Sequence, residues 1–153
     1  PQKAVGFTKN LSNVYRYVLQ CQNKPLVTLD EELEFMTAYL FLHEVRLGNC
    51  IHCHSDIPAD RLDSMLPPLT LQLLTENVIK HNSITINKPM NINISIVNDY
   101  LVVSNSINPK KRNELSGIGL KNLSNRCKLI LNKEINVSDE NGLFTVKVPL
   151  LYE

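Results

Sequence analysis

The apolar residues of this 153-residue chain change their spacing several times along its length, and that succession limits the architecture more than any single motif does. Phe7, Leu11, Val14, Tyr15, Val18 and Leu19 recur at three- and four-residue steps, forming one stripe of a helix. Pro25 ends that pattern. Thr28 followed by Glu31 forms a capping box, in which hydroxyl and carboxylate satisfy opposite free amides at a helix start. A second helix is expected from there to about Leu47, with Leu29, Leu33, Met36, Leu40 and Leu47 at helical spacing and Gly48 as its C-terminal cap. Between Cys50 and Ile57 the pattern becomes alternation, which predicts a strand.

Pro67-Pro68 suits the entry of a third helix, Leu69 to about His81, because a first-turn proline forfeits no hydrogen bond. Two strands, about Asn91 to Val97 and Tyr100 to Asn105, are joined by the tight Asn98-Asp99 turn. A helix of about Leu120 to Leu131 then precedes a hairpin turning at Asn141-Gly142, whose last strand is Phe144 to Val148. This order of elements predicts an α/β two-layer sandwich: a mixed, mostly antiparallel sheet of about five strands with helices on one face.

With 43% hydrophobic and 20% charged residues, the chain can build one core and does not require a second. Lys and Arg total 16 against 15 Asp and Glu, so no long-range basic field draws in nucleic acid or an anionic membrane. Any phosphate chemistry must be local. No apolar run approaches the ~20 residues that cross a bilayer, and no signal peptide is legible. The four cysteines, Cys21, Cys50, Cys53 and Cys127, are too few and too unevenly placed for a disulfide framework, which favours a cytoplasmic setting. Because the chain opens on Pro1-Gln2-Lys3 inside a helical pattern, it is expected to be part of a longer protein that can itself be membrane-anchored.

Two polar clusters carry chemistry. Glu76, Asn77, Lys80 and His81 lie within about one turn of a helix whose Leu71, Leu74 and Val78 can face the core. A carboxylate, an amide and a cation grouped this way can order a water, offer an oxygen to Mg²⁺ and neutralise phosphate; a solvated helix end is the plainer alternative. In Ser116-Gly117-Ile118-Gly119-Leu120, two glycines open a helix, so its free amides and dipole can meet an anion closely, although glycines also serve ordinary turns. Cys50-Ile51-His52-Cys53-His54 matches the c-type haem pattern, but in a strand Cys50 and Cys53 point to opposite faces, which speaks against haem and zinc alike. His43 reads as a surface residue rather than a phosphoacceptor, and Lys110, Lys111 and Arg112 as a solvated loop, with contact to ATP phosphates as the alternative.

Taken together, these segments resemble LytS-like sensor histidine kinases. Leu66-Pro67-Pro68-Leu69 through Glu76-Asn77 and Lys80-His81 is similar to that family's N box. Gly117-Ile118-Gly119-Leu120, Asn122 and Arg126 resemble its glycine-rich box and following helix. Leu11-Ser12 with Arg16-Tyr17, and Thr28-Leu29-Glu31-Glu32-Leu33, resemble the end of the dimerisation helix and the start of the next. The resemblance implies the Bergerat ATP-binding (GHKL) fold, with residues 1–24 ending a dimerisation helix and 25–153 forming the catalytic ATP-binding domain.

The implied activity is that of a protein-histidine kinase: ATP and Mg²⁺ bind, and the γ-phosphate passes to a phosphoacceptor histidine on the dimerisation helix of the same protein. The family's motif for that histidine is absent from this sequence, so the fragment is not expected to be self-sufficient. Relay to a response regulator, often of LytTR type, and homodimerisation of the full-length protein are also implied. By position, Glu76 would be the catalytic base and Asn77 the Mg²⁺ ligand. Lys80, His81, Asn105, Ser116, Gly117, Ile118, Gly119 and Leu120 would hold ATP, with the stretch between Ser106 and Ser116 as its lid.

One departure matters. Where the family's adenine-reading box usually has an aspartate followed by glycines, this chain has Asn105-Ser106-Ile107-Asn108-Pro109. Asn105 keeps a carbonyl oxygen for the adenine amino group without the negative charge that strengthens such a bond. Two alternatives therefore stand: a pseudokinase interaction module with a degenerate site, and a GHKL-type ATPase using Glu76 to activate water.

Overall fold

The computed structural model describes residues 1–110 and 117–153. Helix α1, Gln2–Gln20, is followed by the short strand β1, Val27–Thr28, and helix α2, Leu29–Leu47. Strand β2, Ile51–Asp56, a single 3-10 turn at Ala59–Arg61 and strand β3, Met65–Leu66, lead to helix α3, Thr70–His81. Strands β4, Met90–Val97, and β5, Tyr100–Ser106, precede helix α4, Ile118–Leu131, and the closing strands β6, Asn136–Glu140, and β7, Leu143–Pro149.

The main sheet has five strands in the order β2-β4-β5-β7-β6. Only β2 and β4 run parallel; the other neighbours are antiparallel. Helical and alternating periods meet on its covered face. Leu29 and Met36 of α2, Leu71, Leu74 and Val78 of α3, and Leu123 and Cys127 of α4 pack with Ile92, Ile94, Leu101, Val103, Val146 and Val148 of the strands. Each such aliphatic side chain contributes about 2 kcal/mol through burial. Both hairpin turns fall where expected, with Asn98, Asn141 and Gly142 at positive φ, as two-residue turns require.

Two local expectations need correction. The small antiparallel ribbon of β1 with β3, pairing Val27 with Leu66 and Thr28 with Met65, is too short to leave a periodic signal. The Pro67-Pro68 pair also lies outside the first turn of α3: the helix begins at Thr70, after Leu69 in the left-handed region at φ 65. That conformation is costly for a residue with a Cβ, so something else must hold the chain there.

Glu32 of α2 does so. Its carboxylate is fully buried, accepting the backbone N–H of Leu71 on Oε1 at 3.1 Å and that of Leu69 on Oε2 at 3.2 Å. The hydroxyl of Tyr17 on α1 donates to Oε2 at 2.6 Å. Helix α3, which has no side-chain cap of its own at Leu69, is thereby capped from another helix, and the negative charge meets the positive end of its dipole. Burial pushes the Glu32 carboxyl above its usual range, while the Tyr17 hydroxyl and the helix amides pull the other way. Arg126 of α4 secures the same corner by donating to the Pro68 carbonyl at 3.1 Å.

Removing the carboxylate orphans several donors at once. Glu32→Ala is expected to lower unfolding stability by about 3 kcal/mol, because two helix amides and a hydroxyl lose a charged acceptor. Tyr17→Phe, which removes one donor, should cost about 1 kcal/mol. Urea unfolding followed by circular dichroism checks both; a Glu32→Ala midpoint equal to the parent's would show that the cap is dispensable.

Candidate functional site

A cleft of about 340 Å³ opens between α3, the end of β5, the start of α4 and the β6–β7 hairpin. The two periods explain which side chains reach it. Along β5, Leu101, Val103 and Asn105 are the buried positions, so the alternation that builds the core delivers Asn105 to the same face at the strand's end. Register continues that row: Asn105 pairs with Phe144, and Phe144 with Asp139. All three line the cleft. On α3, Asn77 and His81 lie four residues apart and flank the buried Val78, placing both on the cleft wall.

The sequence-derived site residues divide into two groups. Asn77, His81, Asn105, Gly117 and Leu120 converge on the cleft. Glu76, Lys80, Ile118 and Gly119 are not among its lining residues, and Ser116, like Lys111 and Arg112, lies outside the described residues. Glu76 turns to the α2 side of its helix, where its Oε1 accepts the Tyr39 hydroxyl at 2.9 Å and the Gln72 amide at 3.1 Å. Gly119 packs on α3, since a Cβ there would meet Leu73 at 3.5 Å, whereas a Cβ on Gly117 would meet nothing within 4 Å. Gly117, the N-cap of α4, has no side chain with which to cap it, and the cleft is bordered by that helix N-terminus.

Asn105 is 3% exposed, and its Nδ2 donates to the Ser106 carbonyl at 2.8 Å. The aspartate usual in the family could not make this bond, because an ionised carboxylate has no hydrogen to donate. Asn82, which the sequence did not single out, organises the segment that follows. Its Nδ2 donates to the Val78 carbonyl at 2.9 Å, and its Oδ1 accepts the Asn108 N–H at 2.8 Å. Ser83 and Asn108 exchange two more bonds of 2.7 Å each, and Lys110 N–H donates to the His81 carbonyl at 3.1 Å. Residues 107–110, expected to begin a lid, are thus stitched to the end of α3.

Of the remaining cleft residues, Ile107 and Pro109 fall in the stretch expected to read adenine and begin the lid, whereas Asp139 and Phe144 were missed, although strand alternation could have flagged them. His43 is half-buried, edge-on to the Tyr39 ring at 4.7 Å, rather than a plain surface residue, and burial lowers its pKa. Cys50 is buried with its Sγ bonded to the Leu47 carbonyl, and among the described residues no group of three or more His, Cys, Asp or Glu side chains is arranged to hold a metal. No helix among them is long and apolar enough to cross a membrane.

In sequence and in fold the chain is similar to known histidine kinases. A histidine kinase family profile matches residues 1–51. The sensor protein LytS of Staphylococcus epidermidis is 32% identical over 105 residues, covering 67% of this chain and 18% of the relative. The sensor histidine kinase/phosphatase LytS of Staphylococcus aureus is 30% identical over 98 residues, covering 64% of this chain and 17% of the relative. The chain therefore spans under a fifth of the length of these curated relatives. Among solved structures, the histidine kinase AdeS of Acinetobacter baumannii has a TM-score of 0.52 at 14% identity, over 93% of this chain and 76% of that one. The catalytic domain of the histidine kinase ThkA, in a nucleotide-free form, also gives 0.52, at 17% identity, over 81% of this chain and 97% of that one. At such identities the structures speak for the fold alone.

The Asn82 clamp has a local signature. Asn82→Ala is expected to reduce hydrogen-exchange protection of the Asn108 amide at least about tenfold, because that N–H loses its acceptor, while the amides of β5 stay protected. Unchanged protection at Asn108 would mean that the segment is held by other contacts.

Proposed function

We propose, from a chain that is a relative of the LytS-type sensor histidine kinases and has the fold of histidine kinase catalytic domains, that its cleft binds Mg²⁺-ATP and presents the γ-phosphate to a histidine on a dimerisation helix. The observation that carries this reading is the convergence of Asn77, His81, Asn105, Gly117 and Leu120 on one cleft. The donor set fits the ligand: an apolar wall of Val78, Ile107 and Phe144 for a base, a buried amide for its polar edge, and a glycine-bordered helix N-terminus for phosphate.

Asn105 meets the amino group of adenine, and the amides at the start of α4, with Gly117 and Gly119, cradle the phosphate tail; the family resemblance assigns Ser116 and Ile118 to the same phosphate site. Lys80 and His81, in the last turn of α3, lie beside the phosphates, where the lysine ammonium offsets negative charge. The residues fit Mg²⁺ through the side-chain oxygen of Asn77, a hard neutral donor on the cleft wall. When bound, the metal offsets the charge of the phosphate oxygens. Glu76, on the outer side of α3, acts as the base toward a nucleophile arriving from outside the cleft, so catalysis rests on positioning and electrostatics.

Residues 1–24 are the end of the dimerisation helix and 25–153 the catalytic domain. In the longer protein the acceptor histidine, a homodimer and a response regulator, one of LytTR type included, complete the relay on the cytoplasmic side of a membrane. One observation favours the pseudokinase alternative: Asn105 replaces a charged acceptor, and the segment after it is stitched down rather than glycine-rich.

Calorimetric titration with Mg²⁺-ATP separates these readings. The parent chain should release or absorb measurable heat at up to millimolar nucleotide, and Asn77→Ala should lose metal-dependent binding with its circular dichroism unchanged. With a histidine-bearing dimerisation fragment added, label should pass from γ-labelled ATP, and Glu76→Gln should slow transfer by about a hundredfold with nucleotide affinity nearly intact. No heat from the parent favours the pseudokinase; steady phosphate release without label on histidine favours the ATPase.

A further inference from the structure

We infer that Tyr39 of α2 is a positioning residue for Glu76: its hydroxyl fixes the carboxylate that the proposed transfer reaction uses as base. This rests on the kinase reading above. Glu76 lies exposed on α3, where a long carboxylate side chain is otherwise free to sample several rotamers. Two donors hold it. Gln72, one turn earlier on the same helix, donates to Oε1 at 3.1 Å, and Tyr39, from a different helix, donates to the same oxygen at 2.9 Å. Both bonds meet Oε1, so Oε2 is the oxygen that neither donor engages.

The tyrosine can do this because it is itself immobile. Its ring is 8% exposed, stacked on Phe35 with centroids 6.0 Å apart, and Phe35 is stacked in turn on Tyr17 at 4.5 Å. His43 closes the other side edge-on at 4.7 Å. A rigid aromatic with one hydroxyl aimed at a flexible carboxylate lowers the entropy of ordering that carboxylate for reaction. With both of these bonds on Oε1, the second oxygen is left to take a proton. Tyr39 is not among the residues that line the cleft, so its effect should appear in turnover and not in nucleotide binding.

A double-mutant cycle tests this. Label transfer from γ-labelled ATP to a histidine-bearing dimerisation fragment is measured at saturating nucleotide for the parent chain, Tyr39→Phe, Glu76→Gln and the double variant, with ATP affinity taken from calorimetry for each. Tyr39→Phe keeps the ring stack and should retain the fold and, within about twofold, the ATP affinity, while transfer falls about tenfold. In the Glu76→Gln background the same change should add little, because the tyrosine acts through the carboxylate. Rates that multiply independently, parental transfer by Tyr39→Phe while Glu76→Gln is slow, or loss of ATP affinity in step with rate would each overturn the role of Tyr39. Parental transfer by Glu76→Gln would instead remove Glu76 from the kinase reading, and the inference with it.

Discussion

A single buried carboxylate, Glu32, sets where α3 begins, and most of the candidate site follows from that. Helices ordinarily take their N-terminal cap from the residue just before them. Here that residue is Leu69, which has no side chain able to cap, and the first-turn amides turn to Glu32 of α2 instead. The arrangement fixes the register of α3 against α2, and therefore the direction in which Asn77 faces the cleft while Glu76 faces Tyr39. Tyr17 brings α1 into the same cluster. A lone buried charge would be intolerable, but three donors at hydrogen-bond distance and a helix dipole offset much of its desolvation. Burial still has the larger say, as the raised carboxyl pKa records.

The sheet contributes the other wall by simpler means. Because side chains alternate along a strand, the row that ends in Asn105 begins in core residues, and its neighbours across β7 and β6 carry the row to Phe144 and Asp139. Fold and site are thus one pattern read in two places: apolar in the middle of the sandwich, polar at its rim. Asn82 then ties the outgoing segment back to α3, so the cleft is framed on that side by hydrogen bonds of Asn82, Ser83 and His81.

The periodicities of the sequence were enough to reveal the helices, the hairpins and the mixed sheet, because each of those elements is long enough for its spacing to repeat. The β1–β3 ribbon was not legible, since two residues per strand carry no period. The start of α3 fell within one residue of its expected place, but for a different reason: local rules credit Pro67-Pro68, whereas the cap comes from Glu32, thirty-odd residues earlier in the chain. The site followed the same division. Asn77, His81 and the glycines stood out as clustered residue types, and the kinase resemblance singled out Asn105. Asn82, Asp139 and Phe144 matter through register and long-range hydrogen bonds, which a one-dimensional pattern does not encode. The bond between Asn105 and the Ser106 carbonyl likewise explains an apparent defect in the adenine box as a local fit.

The central claim is that the cleft between α3, β5 and α4 is a nucleotide site. The most direct measurement is an amide-resolved NMR titration of the ¹⁵N-labelled chain with Mg²⁺ and a non-hydrolysable ATP analogue. The account predicts saturable shifts concentrated at Asn77 to Asn82, Asn105 to Pro109 neighbours with an amide, and Gly117 to Lys121, with the far ends of β4 and β5 near Asn98 unmoved. Saturable shifts confined to another face, or none at millimolar analogue, would contradict it.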